Sequence, residues 1–127
     1  MTDHKLLELA AKAAGIAIDK SPYNGGGHGN TGFDMLGNAV LDWHEGTKWN
    51  PLTDDGDALR LAVRLKINVF WRENLNGKFV IAEKDGMNFY PEPVNEGDDP
   101  EAATCRAIVR AAAAIGKELT WQTAHIG

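Results

Sequence analysis

Apolar positions recur at two different periods along this 127-residue chain, and the changes of period divide it into elements. From Thr2 to Ala14, Leu6, Leu9, Ala10 and Ala13 return at helical spacing, Thr2 can cap the start beside Asp3, and Gly15 ends the run. A second helix is expected from about Asp54 to Leu65. Pro51 fixes its approach, Thr53 or Asp54 caps it, carboxylates fill its first turn, and Leu59, Ala62 and Val63 form its inner stripe. From Ile67 the period drops to two, with Ile67, Val69 and Trp71 facing one way and Asn68, Phe70 and Arg72 the other. Asn76-Gly77 and Asp85-Gly86 are hairpin pairs, so strands over 78–83 and 87–94 should complete a meander, which Pro91 and Pro93 end at a sheet edge. Asp98-Asp99-Pro100-Glu101 starts a last helix whose apolar face is Cys105, Ile108, Val109, Ala112, Ile115 and Leu119, with a frayed tail from Thr120.

Between the first two helices the pattern weakens. The glycines of Ser21–Gly32 make regular structure costly, so a flexible loop is expected there, followed by two short strands at Phe33–Leu36 and Val40–His44 around Gly37-Asn38. The whole reads as one α+β domain over residues 1–127 with a flexible Gly-rich loop at 21–32. Its antiparallel sheet of three to five strands has helices packed on it, in the order α-(ββ)-α-β-β-β-α.

Composition narrows the class. The chain is 43% hydrophobic and 24% charged, has no apolar run near the roughly 20 residues that span a bilayer, and opens without a signal-like apolar stretch, so a cytoplasmic protein with no membrane partner is expected. One cysteine, Cys105, excludes an internal disulfide framework and a multi-cysteine zinc site. A net charge of −5 argues against nucleic-acid binding. The charge is unevenly spread: all five arginines lie from residue 60 onward, whereas Ser21 to Ala58 holds six acids and only Lys48 against them.

Several patterns could carry chemistry. Gly27-His28-Gly29-Asn30-Thr31-Gly32 has the G-x-G-x-x-G spacing of a dinucleotide loop, but no buried strand precedes it and no helix follows; a glycine-rich lid over a ligand suits it better. Asp42-Trp43-His44-Glu45, with His28 and Asp34, offers metal-ligand types, yet strand alternation leaves only two on a face. Asp54-Asp55-Gly56-Asp57 lacks the spacing of a calcium loop and is better explained as helix capping. Cys105 falls in an apolar stripe where a thiol acts as a small hydrophobe, and no G-x-S-x-G occurs. Arg60 and Arg64, and again Arg106 and Arg110, lie four apart on a helix. Each pair projects two guanidinium groups suited to an anion, or else solubilising charge paired with Asp57 or Glu101. With Tyr23, His28, Trp43 and Trp49 these arginines form the candidate ligand site; no cofactor and no metal is implied.

Residues 1–15, 49–63 and 106–112 resemble a group of small phage and prophage proteins of Gram-negative bacteria, and the arrangement of a capped acidic helix, a meander and a Cys-Arg helix is similar to the phage ABA-sandwich domain. The resemblance covers about half the chain, omits Ser21–Gly32 and brings no catalytic residues. It implies an accessory role in a bacterial host cell during infection or lysogeny. By analogy with other small phage proteins, the expected function is non-enzymatic binding, with sequestration, of a small anionic nucleotide-like ligand such as a bacterial immune signal. The alternatives are a protein-interaction module that blocks a host factor, using the edge after Pro93 and exposed aromatics, and a metal-dependent hydrolase built on His28, Asp34, Asp42 and His44. Helix-meander-helix order also resembles a double-stranded-RNA-binding domain, but the acidic balance and the lack of a lysine cluster weigh against that use. A homo-oligomer is compatible with all of these.

Overall fold

A computed structural model describes residues 2–16, 39–42 and 47–126. The elements run α1 (Asp3–Ala14), β1 (Ala39–Asp42), β2 (Thr47–Trp49), α2 (Asp55–Leu65), β3 (Asn68–Asn74), β4 (Gly77–Lys84), β5 (Met87–Pro93) and α3 (Pro100–Ile126). The protein is α+β. Strands β3, β4 and β5 form an antiparallel meander in that spatial order, and β1 with β2 forms a separate antiparallel pair. The hairpin therefore joins residues 39–42 to 47–49, one strand later than the expected pairing of Phe33–Leu36 with Val40–His44; Phe33–Leu36 and the Ser21–Gly32 loop lie outside the described residues.

Local signals set most boundaries. The Thr2 hydroxyl accepts the Lys5 N–H at 3.2 Å, and Gly15, at φ +70°, turns its N–H back toward the carbonyls of Ala11 and Lys12, so α1 is closed at both ends. Asp54 caps α2, its Oδ1 accepting from the N–H groups of Gly56 at 2.8 Å and Asp57 at 3.2 Å. The helix ends on Lys66 in the left-handed region, φ +57°, a conformation unusual for a side chain with a Cβ. Lys84 of β4 reaches across to donate to the Leu65 carbonyl at 2.7 Å, which occupies one of the open acceptors at that helix end. Asp85 and Gly86 both take positive φ and form the β4–β5 turn as expected. In the β3–β4 turn the central residues are Leu75 and Asn76, and Gly77, at φ +126°, is the first residue of β4; the expected Asn76-Gly77 centre is one residue late.

The core is organised around α3. This helix packs against α1, α2, β4 and β5. Cys105, Ala107, Ile108, Val109, Ala111, Ala112 and Ala113 are consequently all buried, where the pattern of the sequence suggested one apolar face lying on the sheet. Small side chains make burial on several sides possible, because helices can approach alanine more closely than leucine. The closest approach is at Gly116, where a Cβ would lie 1.9 Å from the Leu9 carbonyl oxygen of α1. Leu119 is 40% exposed, and α3 continues to Ile126 rather than fraying at Thr120. On the sheet, Val80 and Ala82 face α3, while Ile81 faces the opposite side in register with Phe70. All three are buried, so β4 is covered on both faces.

Candidate functional site

The aspartates of α2 are occupied with folding. Asp57 is buried, and its Oδ2 accepts the Asn50 N–H at 2.9 Å while its Oδ1 accepts from Arg60 Nη2 at 2.7 Å. Asn50 in turn accepts the Leu52 N–H at 3.1 Å, so the turn before α2 hangs on one buried carboxylate. Trp49, a candidate stacking residue, is 5% exposed and belongs to the core, which removes its ring face from solution. Lys48, Trp49, Asn50 and Thr53 through Asp57 line a small polar cleft beside this turn.

The four candidate arginines are spread over separate contacts. Arg60 is held by Asp57 on its own helix. Arg106 lies 3.8 Å from Asp3 of α1, a long contact between half-exposed groups and of little energetic weight. Arg110 places Nη1 2.5 Å from Oε1 of Glu92 on β5; the pair is in full charge contact, off the line of an N–H···O hydrogen bond. Arg64 is exposed in the last turn of α2, where its charge suits the negative end of the helix dipole. None of the four lines this polar cleft or the apolar groove between α2 and β3. Tyr23, His28 and Trp43, together with Asp34 and His44, are outside the described residues.

The feature with the shape of a site is apolar. A groove of about 750 Å³ runs between α2 and β3, with the first half of α3 beneath it. Its walls are Ala58, Leu59, Ala62 and Val63 on one side and Ile67, Val69 and Trp71 on the other, with Thr104, Cys105 and Ile108 below. Leu59 is 64% exposed, Val63 69% and Trp71 54%. This corrects the inner stripe of α2: Ala58, Leu61 and Ala62 face the core, whereas Leu59 and Val63 are turned outward. Asp55 and Glu101 stand where the first turns of α2 and α3 meet the groove, and Lys66 stands at the far end of α2. Strand β3 has one strand neighbour among the described residues, and its Asn68, Val69 and Trp71 line the groove. A signal for this existed in the sequence. An 11-residue helix with one stripe at Ala58, Leu61, Ala62 and Leu65 and another at Leu59 and Val63 has more apolar surface than one contact face uses.

Cys105 closes one end of the groove floor, and its Sγ donates to Asp55 Oδ1 at 3.3 Å. Burial pushes its thiol from the ordinary 9.0 to about 11, and the hydrogen bond to Asp55 and the charges of Asp55, Asp54 and Asp99 act in the same direction. The thiol is therefore protonated at neutral pH and is a poor nucleophile. Because the folded pKa is raised, its contribution to stability is complete below about pH 9 and is lost as pH rises through about 11. Urea midpoints of the wild type should fall across that interval by more than those of Cys105→Ala, and parallel curves for the two proteins would refute the assignment.

Among the described residues no group of three or more His, Cys, Asp or Glu side chains is placed to hold a metal ion, and no helix is long and apolar enough to cross a membrane. In comparisons with known proteins the chain matches no family model, no curated protein and no solved structure.

Proposed function

We propose that this protein is a non-enzymatic interaction module that receives an apolar segment of another polypeptide in the groove between α2, β3 and α3. The observation that carries this reading is the clustering of Leu59, Val63 and Trp71 around one concavity. A single exposed leucine is ordinary, whereas exposed apolar side chains gathered in one groove mark a contact surface. Covering all three contributes several kcal/mol, at roughly 1.5–3 kcal/mol for each fully buried side chain, enough to offset much of the cost of association. The acidic end at Asp55 and Glu101 and the basic end at Lys66 favour a segment with a cation at one end and an anion at the other. The setting suggested by the sequence resemblance, an accessory protein of infection acting on a host factor, is compatible with such a surface. An anionic nucleotide-like ligand is less well served, because Arg60, Arg106 and Arg110 already face acids in three different places.

Leu59→Glu and Val63→Glu change exposed positions, so both variants should stay folded while losing the groove's apolar wall. Against an array of amphipathic peptides, wild type should bind a subset that each variant binds at least about tenfold more weakly, a loss of 1.4 kcal/mol or more. Binding that is equal in wild type and variants refutes the groove as the contact. A thermal-shift screen with nucleotides should give no stabilisation; a shift abolished by Arg64→Ala would restore the anionic-ligand reading.

A further inference from the structure

We infer that two copies of this chain pair through β3, antiparallel about a two-fold axis at Trp71, so that their meanders form one six-stranded sheet. The two edges of the meander differ. β5 carries Pro91 and Pro93, which remove ladder donors and blunt that edge, whereas β3, Asn68-Val69-Phe70-Trp71-Arg72-Glu73-Asn74, has no proline. A two-residue turn at Leu75-Asn76 closes β3 on β4 through the hydrogen-bonded pair Asn74 and Gly77. By the alternation of an antiparallel ladder, Val69, Trp71 and Glu73 then direct their N–H and C=O groups away from β4.

A second β3 centred on Trp71 meets those groups in kind. Trp71 pairs with Trp71 of the other copy and Val69 with Glu73, the positions at which both strands offer outward donors and acceptors. Each pairing in this register is repeated about the axis, as a two-fold interface requires. Phe70 falls opposite Arg72 and Asn68 opposite Asn74. The Phe70 and Arg72 pairing repeats between copies what the strand already makes within itself, where the Arg72 guanidinium lies 5.7 Å from the Phe70 ring centroid. The chain carries a charge of −5, but β3 holds one Arg and one Glu, so the strand itself is neutral and adds no net repulsion between two acidic copies. Residues opposite one another share a sheet face, so the two grooves open on the same side and meet at the seam, where the two Trp71 side chains lie side by side. This goes beyond the proposed function, in which one chain supplies the groove.

Sedimentation equilibrium or light scattering of the full chain tests it. Wild type should approach twice the 13.8 kDa chain mass as concentration rises through the micromolar range. Glu73→Pro removes an outward N–H at an exposed position without touching the β4 ladder, and Trp71→Lys sets two cations against each other at the axis. Both should be monomers with wild-type circular dichroism. A wild type that is monomeric throughout, or a dimer unchanged in both variants, overturns the inference. Peptide binding by a monomeric wild type, lost in Val63→Glu, would overturn the dimer and keep the groove reading; a dimer that binds no peptide would do the reverse.

Discussion

Replacing Gly116 with alanine should destabilise the protein by about 2–4 kcal/mol, although alanine is the better helix former by about 1 kcal/mol. The reason is the identity of the neighbour. A Cβ at Gly116 would lie 1.9 Å from the Leu9 carbonyl oxygen, 2.8 Å from its carbonyl carbon and 3.2 Å from its Cα, all atoms of the α1 backbone. A flexible side chain could swing aside, but here the whole of α1 must move. α1 contributes Leu6, Leu7, Leu9, Ala10, Ala11 and Ala14 to the core, so separating it from α3 loosens many contacts at once. Gly56 is the internal control. A Cβ there meets Asp54 Oδ1 at 3.2 Å and the guanidinium end of Arg60 at 3.2–3.3 Å, and Arg60 is exposed and can give way. Gly56→Ala should therefore stay within about 1 kcal/mol of wild type. Urea unfolding of both variants checks the pair, and a Gly116→Ala protein more stable than wild type would show that α1 and α3 are not in backbone contact. Gly116→Val should be worse than Gly116→Ala, because it adds two methyl groups at the same point and lowers helix propensity.

What could be read in the sequence divides along the same line between local and tertiary causes. Thr2, Gly15, Asp54, Asp85-Gly86 and Pro100 act within a few residues of themselves, so their roles in capping and turning are legible without knowing the fold. The phase of α2 is a different matter. Both of its stripes suit a helix, and the choice between them is made by α3 and by the Asp57 carboxylate, which draws that face inward through Asn50. Gly116 carries no local mark of a helix crossing, since a glycine after Ile115 reads equally well as a weak point in a helix. The arginine spacing was visible, but the partners Asp3 and Glu92 come from distant elements, and only the fold shows them. The groove is legible last of all. It is a surplus, the apolar surface left after the core is complete, and it emerges only when Leu59 and Val63 have been shown to face away from that core.

The Arg110 and Glu92 pair should give opposite results when one partner or both are replaced. Glu92 extends from β5 on the α3 side of the sheet, in register with Val80, and its side chain is 9% exposed while that of Arg110 is 40% exposed. Arg110→Leu leaves a carboxylate facing the core without its cation. Breaking a buried pair in this way costs about 3–5 kcal/mol; with one partner half in water, about 2–4 kcal/mol is expected. Glu92→Leu is milder, near 1 kcal/mol, because Arg110 can turn its head group outward while its stem stays packed. The double variant removes the desolvated charge and the need for its partner together, and should recover to within about 1 kcal/mol of wild type. The coupling from the four proteins is then about 1–3 kcal/mol, read from urea midpoints at constant ionic strength. Additive losses would show that the two groups do not meet. The outcome also bears on ligand binding: if Arg110 exists to neutralise Glu92, the double variant should bind groove peptides as wild type does, whereas an arginine held in reserve for an anion would leave its mark on binding and little on stability.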